Sequence, residues 1–323
     1  IGSAVALAAV MAIPAFAAAD GHENAKVRVG HFSPDAPAVD VYAGDDAILT
    51  DVPFGVLSEY LEVPGGTYSI AVVAAGADPA DGAVIGPVDL DFAAGTMTTV
   101  AATNVLESIE AQVIADEPNP QDGIAQVRVV HFSADAPAVD IALDGGDVVV
   151  ENLEYPNATE AYLDLPEGEY DLEIRPTGTT DVAFDIDPLD LAGGNSFTVF
   201  AIGSLADGSF TVLPAVDASL AEVRVGHFSA DAPAVDVYAN GGLILSGAEF
   251  GDLSDYLAVP AGTYTIEVVA AGADPADGAV IGPVDLDFAA GTMTTVAATN
   301  TLENIEAQVI ADEPMPEDGI AEV

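Results

Sequence analysis

A histidine, a serine and two aspartates recur three times in nearly the same phrase. It reads VRVGHFSPDAPAVD from Val27, VRVVHFSADAPAVD from Val127 and VRVGHFSADAPAVD from Val223. These are the residue types of a hydrolytic triad or of a metal site. The candidate sets are His31, Ser33, Asp35 and Asp40, then His131, Ser133, Asp135 and Asp140, then His227, Ser229, Asp231 and Asp236. In each, the histidine, the serine and the first aspartate stand at i, i+2 and i+4. On a strand all three side chains leave one face, about 6.5–7 Å apart per two-residue step. A triad needs successive members within about 2.6–3.2 Å of each other. No Gly-x-Ser-x-Gly elbow and no glycine-built oxyanion loop accompanies the phrase. The spacing argues against catalysis, and no enzymatic activity is expected of these units.

Metal binding is little better supported. One histidine per phrase, in a chain without cysteine, makes a poor zinc set. The acidic runs DGGD at Asp144 and DIDPLD at Asp185 are the candidates for Ca2+, but they lack the ordered ligand spacing of a known calcium loop. No metal ligand and no cofactor is assigned; calcium is the one alternative kept.

A framework role explains more of the phrase. Lysine and arginine together number only 5, and Arg28, Arg128 and Arg224 fall at the same place in each copy. A planar guanidinium can hold a carboxylate through two parallel hydrogen bonds. The nearest repeated acids, Asp35 and Asp40 with Asp135, Asp140, Asp231 and Asp236, are the expected partners. Asp-Ala-Pro then makes a turn, and histidine and serine are expected to tie that turn to the strand before it.

The phrase recurs at offsets of 100 and then 96 residues, so the chain is a row of repeats. Residues 72–104 are identical to residues 268–300, while the middle copy diverges. Repeat domains are expected at 26–115, 126–214 and 222–311. The proline-spaced acidic segment DEPNPQDG reads as a stiff linker, and LPAVDASLAE is assigned the same job between the second and third units. Residues 312–323 read as a linker into a fourth repeat, so the chain is expected to be cut from a longer one.

Within each unit the period is two. Tyr170, Leu172 and Ile174 alternate with Asp171, Glu173 and Arg175, which is the mark of a half-buried strand with one face in water. Pro-x-Gly-x-Tyr at Pro64, Pro166 and Pro260 reads as a type I turn. About seven short strands in each unit predict an all-β fold, a tandem array of Ig-like antiparallel β-sandwich domains.

The phrase, with the Tyr-Leu-x-x-Pro-x-Gly-x-Tyr segment that follows it, resembles the domain-of-unknown-function family 4397. The likeness covers all three units and is weakest in the middle one, where Ile141-Ala142-Leu143 stands in place of Val41-Tyr42-Ala43. The resemblance implies an extracellular sandwich domain, often in tandem, with no assigned catalytic residues.

The 54 acidic residues give a formal net charge of −49. Such a chain repels phosphate backbones, which excludes nucleic acid as a partner. Half the residues are hydrophobic and the acids are interspersed, so this is a folded protein and not an acidic disordered one. At 1 M salt the screening length falls to about 3 Å, and the self-repulsion of such a surface nearly vanishes. A halophilic source is therefore expected. Residues 1–19 read as a signal peptide truncated at its start, with a small-x-small site at Ala15-Phe16-Ala17, and no later segment is long and apolar enough to span a bilayer. Asn157 lies in an Asn-x-Thr sequon and is a candidate for glycosylation. The expected role is a secreted or cell-surface spacer, adhesin or binding array. Its partner would be a cell-envelope or extracellular polymer or protein. The alternatives are accessory binding domains of a larger secreted enzyme, or a calcium-binding surface protein.

Overall fold

The computed structural model describes residues 24–312. The signal-like segment and the tail 313–323 lie outside the described residues. The described chain divides into two compact units, residues 24–119, 126–191 and 197–217 in the first and residues 120–125, 192–196 and 218–312 in the second. Both are built of strands, as the period of two requires.

The first unit holds two repeats. The strands of the first are β1 (Asn24–His31), β2 (Val39–Ala43), β3 (Asp46–Val52), β4 (Val56–Leu57), β5 (Leu61–Pro64), β6 (Gly66–Ala74), β7 (Ile85–Phe92), β8 (Met97–Thr103) and β9 (Glu110–Asp116). They form one sheet ordered β4-β1-β8-β9, with β5 also on β1, and a second ordered β3-β2-β6-β7. Val39, Val41, Leu49, Ile70 and Val72 fill the core of this sandwich. The pairings are antiparallel except for β1 with β8, which run parallel with Arg28 opposite Thr99.

The second repeat follows the same plan with β10 (Ile124–His131), β11 (Val139–Leu143), β12 (Val148–Leu153), β13 (Leu163–Pro166), β14 (Gly168–Pro176), β15 (Phe184–Leu191), β16 (Asn195–Ile202) and β17 (Thr211–His227). Its sheets are ordered β13-β10-β16-β17 and β12-β11-β14-β15. The segment LPAVDASLAE, expected as a linker, lies inside β17. The proline is confined to a strand position early in the segment, and alternate side chains beyond it are buried, which is strand behaviour.

The second unit carries the third repeat. Its own strands are β18 (Val235–Ala239), β19 (Gly242–Ala248), β20 (Leu257–Pro260), β21 (Gly262–Ala270), β22 (Ile281–Phe288), β23 (Met293–Thr299) and β24 (Glu306–Asp312). The residues of β17 from Ala218 onward pair with β20 and, in parallel, with β23; the other sheet is ordered β19-β18-β21-β22.

Pro-x-Gly-x-Tyr is not a hairpin turn. Only Gly65 separates β5, which pairs with β1, from β6, which pairs with β2 and β7. The chain switches sheets there, as at the corner of a sandwich. The tyrosine pins the corner: Tyr68, Tyr170 and Tyr264 each donate their hydroxyl to the proline carbonyl four residues back, at 2.7, 2.8 and 2.8 Å.

Candidate functional site

The repeated phrase runs off the end of β1, β10 or β17 into the Asp-Ala-Pro turn. His31, His131 and His227 are almost wholly buried, and each donates Nε2–H to the carbonyl of the turn proline, Pro37, Pro137 or Pro233, at 3.0–3.1 Å. The carbonyl accepts, so Nε2 carries the proton. Nδ1 of His131 and His227 faces the backbone N–H of Ser133 and Ser229 at 3.3 and 3.4 Å. No serine hydroxyl of the phrase bonds to its histidine among the described residues. The serines are fully buried, and the Oγ atoms of Ser33 and Ser229 have no partner there. A serine–histidine hydrogen bond of the nucleophile–base kind is therefore not assembled in the phrase. Burial lowers the pKa of His31 and His131 below the ordinary 6.5, against the pull of the proline carbonyl, so both are neutral at pH 7.

The two aspartates hold loops. Asp35 and Asp231 accept the backbone N–H of Leu106 and Leu302. Asp135 accepts those of Leu205 and Ala206, with the hydroxyls of Ser204 and Ser133. The second aspartate grips two turns at once. Asp40 accepts from Asp51 and Gly76, Asp140 from Asn152 and Gly178, and Asp236 from Gly247 and Gly272, all at 2.7–2.9 Å. All six donors sit at positive φ, between 51° and 80°. Asn and Asp tolerate this region and glycine occupies it freely, so the carboxylate fixes strained turns that the sequence is chosen to permit. These backbone hydrogen bonds hold Asp140 and Asp236 below the usual carboxylate range.

The arginines do not pair with these acids. Arg28 and Thr99 lie side by side on the outer face of the β4-β1-β8-β9 sheet, away from its own core, and that face is covered by the second repeat. Arg28 donates Nε–H to Thr99 Oγ1 of its own repeat at 2.8 Å and Nη2–H to Asp217 of the second repeat at 2.5 Å. Arg128 reciprocates, donating to Thr198 of its own repeat and to Asp116 of the first. Each aspartate accepts two further bonds from its own repeat, Asp116 from Thr99 and Tyr60 and Asp217 from Thr198 and Tyr162, at 2.6–2.8 Å. Each guanidinium lies over the tyrosine ring of its own repeat, 4.6 Å from Tyr60 and 5.0 Å from Tyr162. The two crossed ion pairs are buried and sum to zero charge. Burial, reinforced by Asp217, pushes the Tyr162 phenol far above its ordinary range, and burial likewise dominates at Tyr60, so both remain hydrogen-bond donors.

Beside this cluster the two repeats share an apolar seam of Phe32, Phe132, Phe200, Val130, Ala101 and Ile202. Phe200 stands where the first repeat has Ala101, and its ring is 5.3 Å from Phe32 and 6.2 Å from Phe132. This corrects the expectation that each sheet turns one face to water. The runs in β8 and β16 are buried on consecutive residues, with the core on one face and the other repeat on the other, and β23 of the third repeat is buried along its length as well.

Sequence reasoning missed Thr99, Thr198 and Thr295, Tyr60, Tyr162 and Tyr256, and Asp116, Asp217 and Asp312. Their signal was present: all recur with the repeat, and the tyrosine always precedes leucine. In the third repeat Arg224 uses the same parts, donating to Thr295 at 2.8 Å and to its own Asp312 at 3.2 Å. The sequon residue Asn157 is exposed. Among the described residues no group of three histidines, aspartates or glutamates stands close enough to hold a metal, the runs at Asp144 and Asp185 included. No helix there is long and apolar enough to cross a membrane.

Three segments, residues 25–142, 125–220 and 221–323, match the family described as domain of unknown function (DUF4397). No curated protein matches the chain. Among solved structures it is similar to the Bacillus anthracis TIE protein, at 12% identity and a TM-score of 0.20, over 86% of this chain and 51% of that one. The chain thus spans about half the length of that neighbour.

Proposed function

The chain belongs to the DUF4397 family, and from that premise we propose that it is a secreted or cell-surface repeat protein that acts as a spacer, adhesin or binding array without turnover of its own. One observation carries this reading. In all three copies the arginine, the imidazole and both aspartates of the repeated phrase are bonded inside the protein, so its most chemically capable residues build architecture. The surroundings support it. All four arginines are engaged in ion pairs with acids of the chain, which leaves an almost wholly anionic surface. That surface suits a halophilic exterior, where molar salt screens its repulsion. Its partner is a cell-envelope or extracellular polymer or protein, and repetition of one module adds reach and avidity.

The test is surface labelling of intact cells with an antibody to the chain, together with binding of the full chain to extracted envelope in molar salt. Labelling of intact cells and saturable retention on envelope support the reading. A cytoplasmic location, or saturable hydrolysis of a glycan, peptide or ester by the purified chain, overturns it.

A further inference from the structure

The third repeat carries the face by which the first repeat holds the second, and there it is open. Phe32 is 0% exposed, whereas its counterpart Phe228 is 41% exposed. Phe250, Leu253 and Ile310 are exposed too, while their counterparts Phe54, Leu57 and Ile114 pack against the seam. The polar cluster follows the same rule. The Arg28 and Asp217 side chains are 2% and 0% exposed, those of Arg224 and Asp312 29% and 15%. Val113 and Val309, outside the seam, are both 48% exposed, although off the seam Leu257 is 42% exposed where its counterpart Leu61 is 8%.

We propose that this face docks a further domain of the second-repeat type, seated as the second repeat is seated on the first. The seam is asymmetric. The first repeat has small residues, Gly30 under its own Phe32 ring and Ala101, where the second has Val130 and Phe200, and it is the Phe200 ring that reaches Phe32 across the seam. The third repeat is of the small type, with Gly226 under its own exposed Phe228 ring and Ala297, 0% exposed, so a docking ring would have Phe228 to move and to stack on. Two third repeats brought together would lack the Phe200 ring and leave a ring-sized gap, so a second copy of this chain is the poorer occupant. A second-type domain supplies the aromatic knob. It also supplies an aspartate for Arg224 and an arginine for Asp312, so the self-contained pair of the third repeat converts to the crossed pairs of the first unit.

The chain has no cysteine, which permits single-thiol reporters. Leu253→Cys reads the seam and Val309→Cys reads the surface that pairing leaves open. Each is placed in the full chain, with and without a further copy of residues 117–217 joined after Asp312. A short tether holds the added domain at an effective concentration of order millimolar, so Leu253→Cys should react with maleimide roughly fivefold more slowly or better, while Val309→Cys is unchanged. Replacing the added domain's counterpart of Phe200 by aspartate should restore the rate. Equal rates with and without a folded added domain overturn the proposal, as does protection that survives the aspartate. So does a chain without the added domain that sediments as a dimer and already protects Leu253→Cys, because a second copy is then the occupant. If the added domain does not fold, a second arm decides. The unmodified chain is mixed with one whose third repeat is converted by Gly226→Val and Ala297→Phe. A 1:1 complex tighter than either self-association supports the proposal, and its absence overturns it.

Discussion

Replacing Arg128 by methionine should be among the most damaging single changes to the first unit. Methionine keeps much of the apolar stem and removes the guanidinium. Asp116, fully buried, then loses its charge partner in the second repeat. It keeps the hydroxyls of Tyr60 and Thr99 at 2.8 and 2.6 Å, and Arg28 Nε remains 3.9 Å away. Removing one member of a buried pair costs roughly 3–5 kcal/mol, and the remaining donors place this case near the lower end, at about 3 kcal/mol. Ala115 also loses the hydrogen bond that its carbonyl accepts from Arg128 Nη1. The assay is urea unfolding in molar NaCl, with the transition of the first unit followed separately. Salt leaves the effect in place because the pair is buried, whereas the exposed Lys26–Glu62 pair is screened. Arg224→Met should cost less, its pair being open to water. Adding Asp116→Asn to Arg128→Met removes the stranded charge and should reveal a coupling of about 2 kcal/mol. A loss below about 1 kcal/mol for Arg128→Met would refute the crossed-pair account, because a buried carboxylate stripped of its partner is not that cheap. So would equal losses for Arg128→Met and Arg224→Met.

The buried imidazoles give stability a pH dependence. His31 and His131 take up a proton at lower pH in the native chain than the unfolded value of 6.5, so the unfolded state binds more protons in the interval between. Their contribution is complete above pH 6.5 and is lost as pH falls through that interval. Melting temperatures between pH 7.5 and 5 should decline, and glutamine at both positions should flatten the decline. With a net charge of −49, circular dichroism should show loss of the β signal on dilution well below molar NaCl; equal stability at low and high salt would contradict the halophilic reading. Asp140→Asn removes one charged acceptor from a carboxylate that grips Asn152 and Gly178, and should cost about 1.5 kcal/mol in chemical denaturation.

The strands were legible because their alternation is local. Tyr170 to Arg175 shows its two faces within six residues, and the corner tyrosines lie four residues from the prolines they bond. The bond of His31, His131 and His227 to the following turn was legible for the same reason, since each partner is six residues away. The arginine partners were not. Asp217 is 189 residues from Arg28, and the pairing depends on one repeat covering the outer sheet of another, which no reading of a single repeat contains. The nearby acids Asp35 and Asp40 had the right charge, but the backbone N–H of Leu106 claims Asp35, and turns of positive φ at Asp51 and Gly76 claim Asp40. Residues 213–222 are strand where a linker is expected, because the alternation of Ala215, Asp217, Ser219 and Ala221 on one face outweighs the proline and the acids.

The central claim is that the repeated His-Ser-Asp phrase is framework and takes no direct part in function. The most direct measurement compares retention on extracted envelope of the full chain with that of a His31→Gln, His131→Gln, His227→Gln variant. It is made in molar salt, where circular dichroism shows both to be folded. The account predicts equal retention, with a lower melting temperature for the variant. Retention abolished in a variant that remains folded would contradict it, because the histidines would then be acting on a ligand and not on the fold.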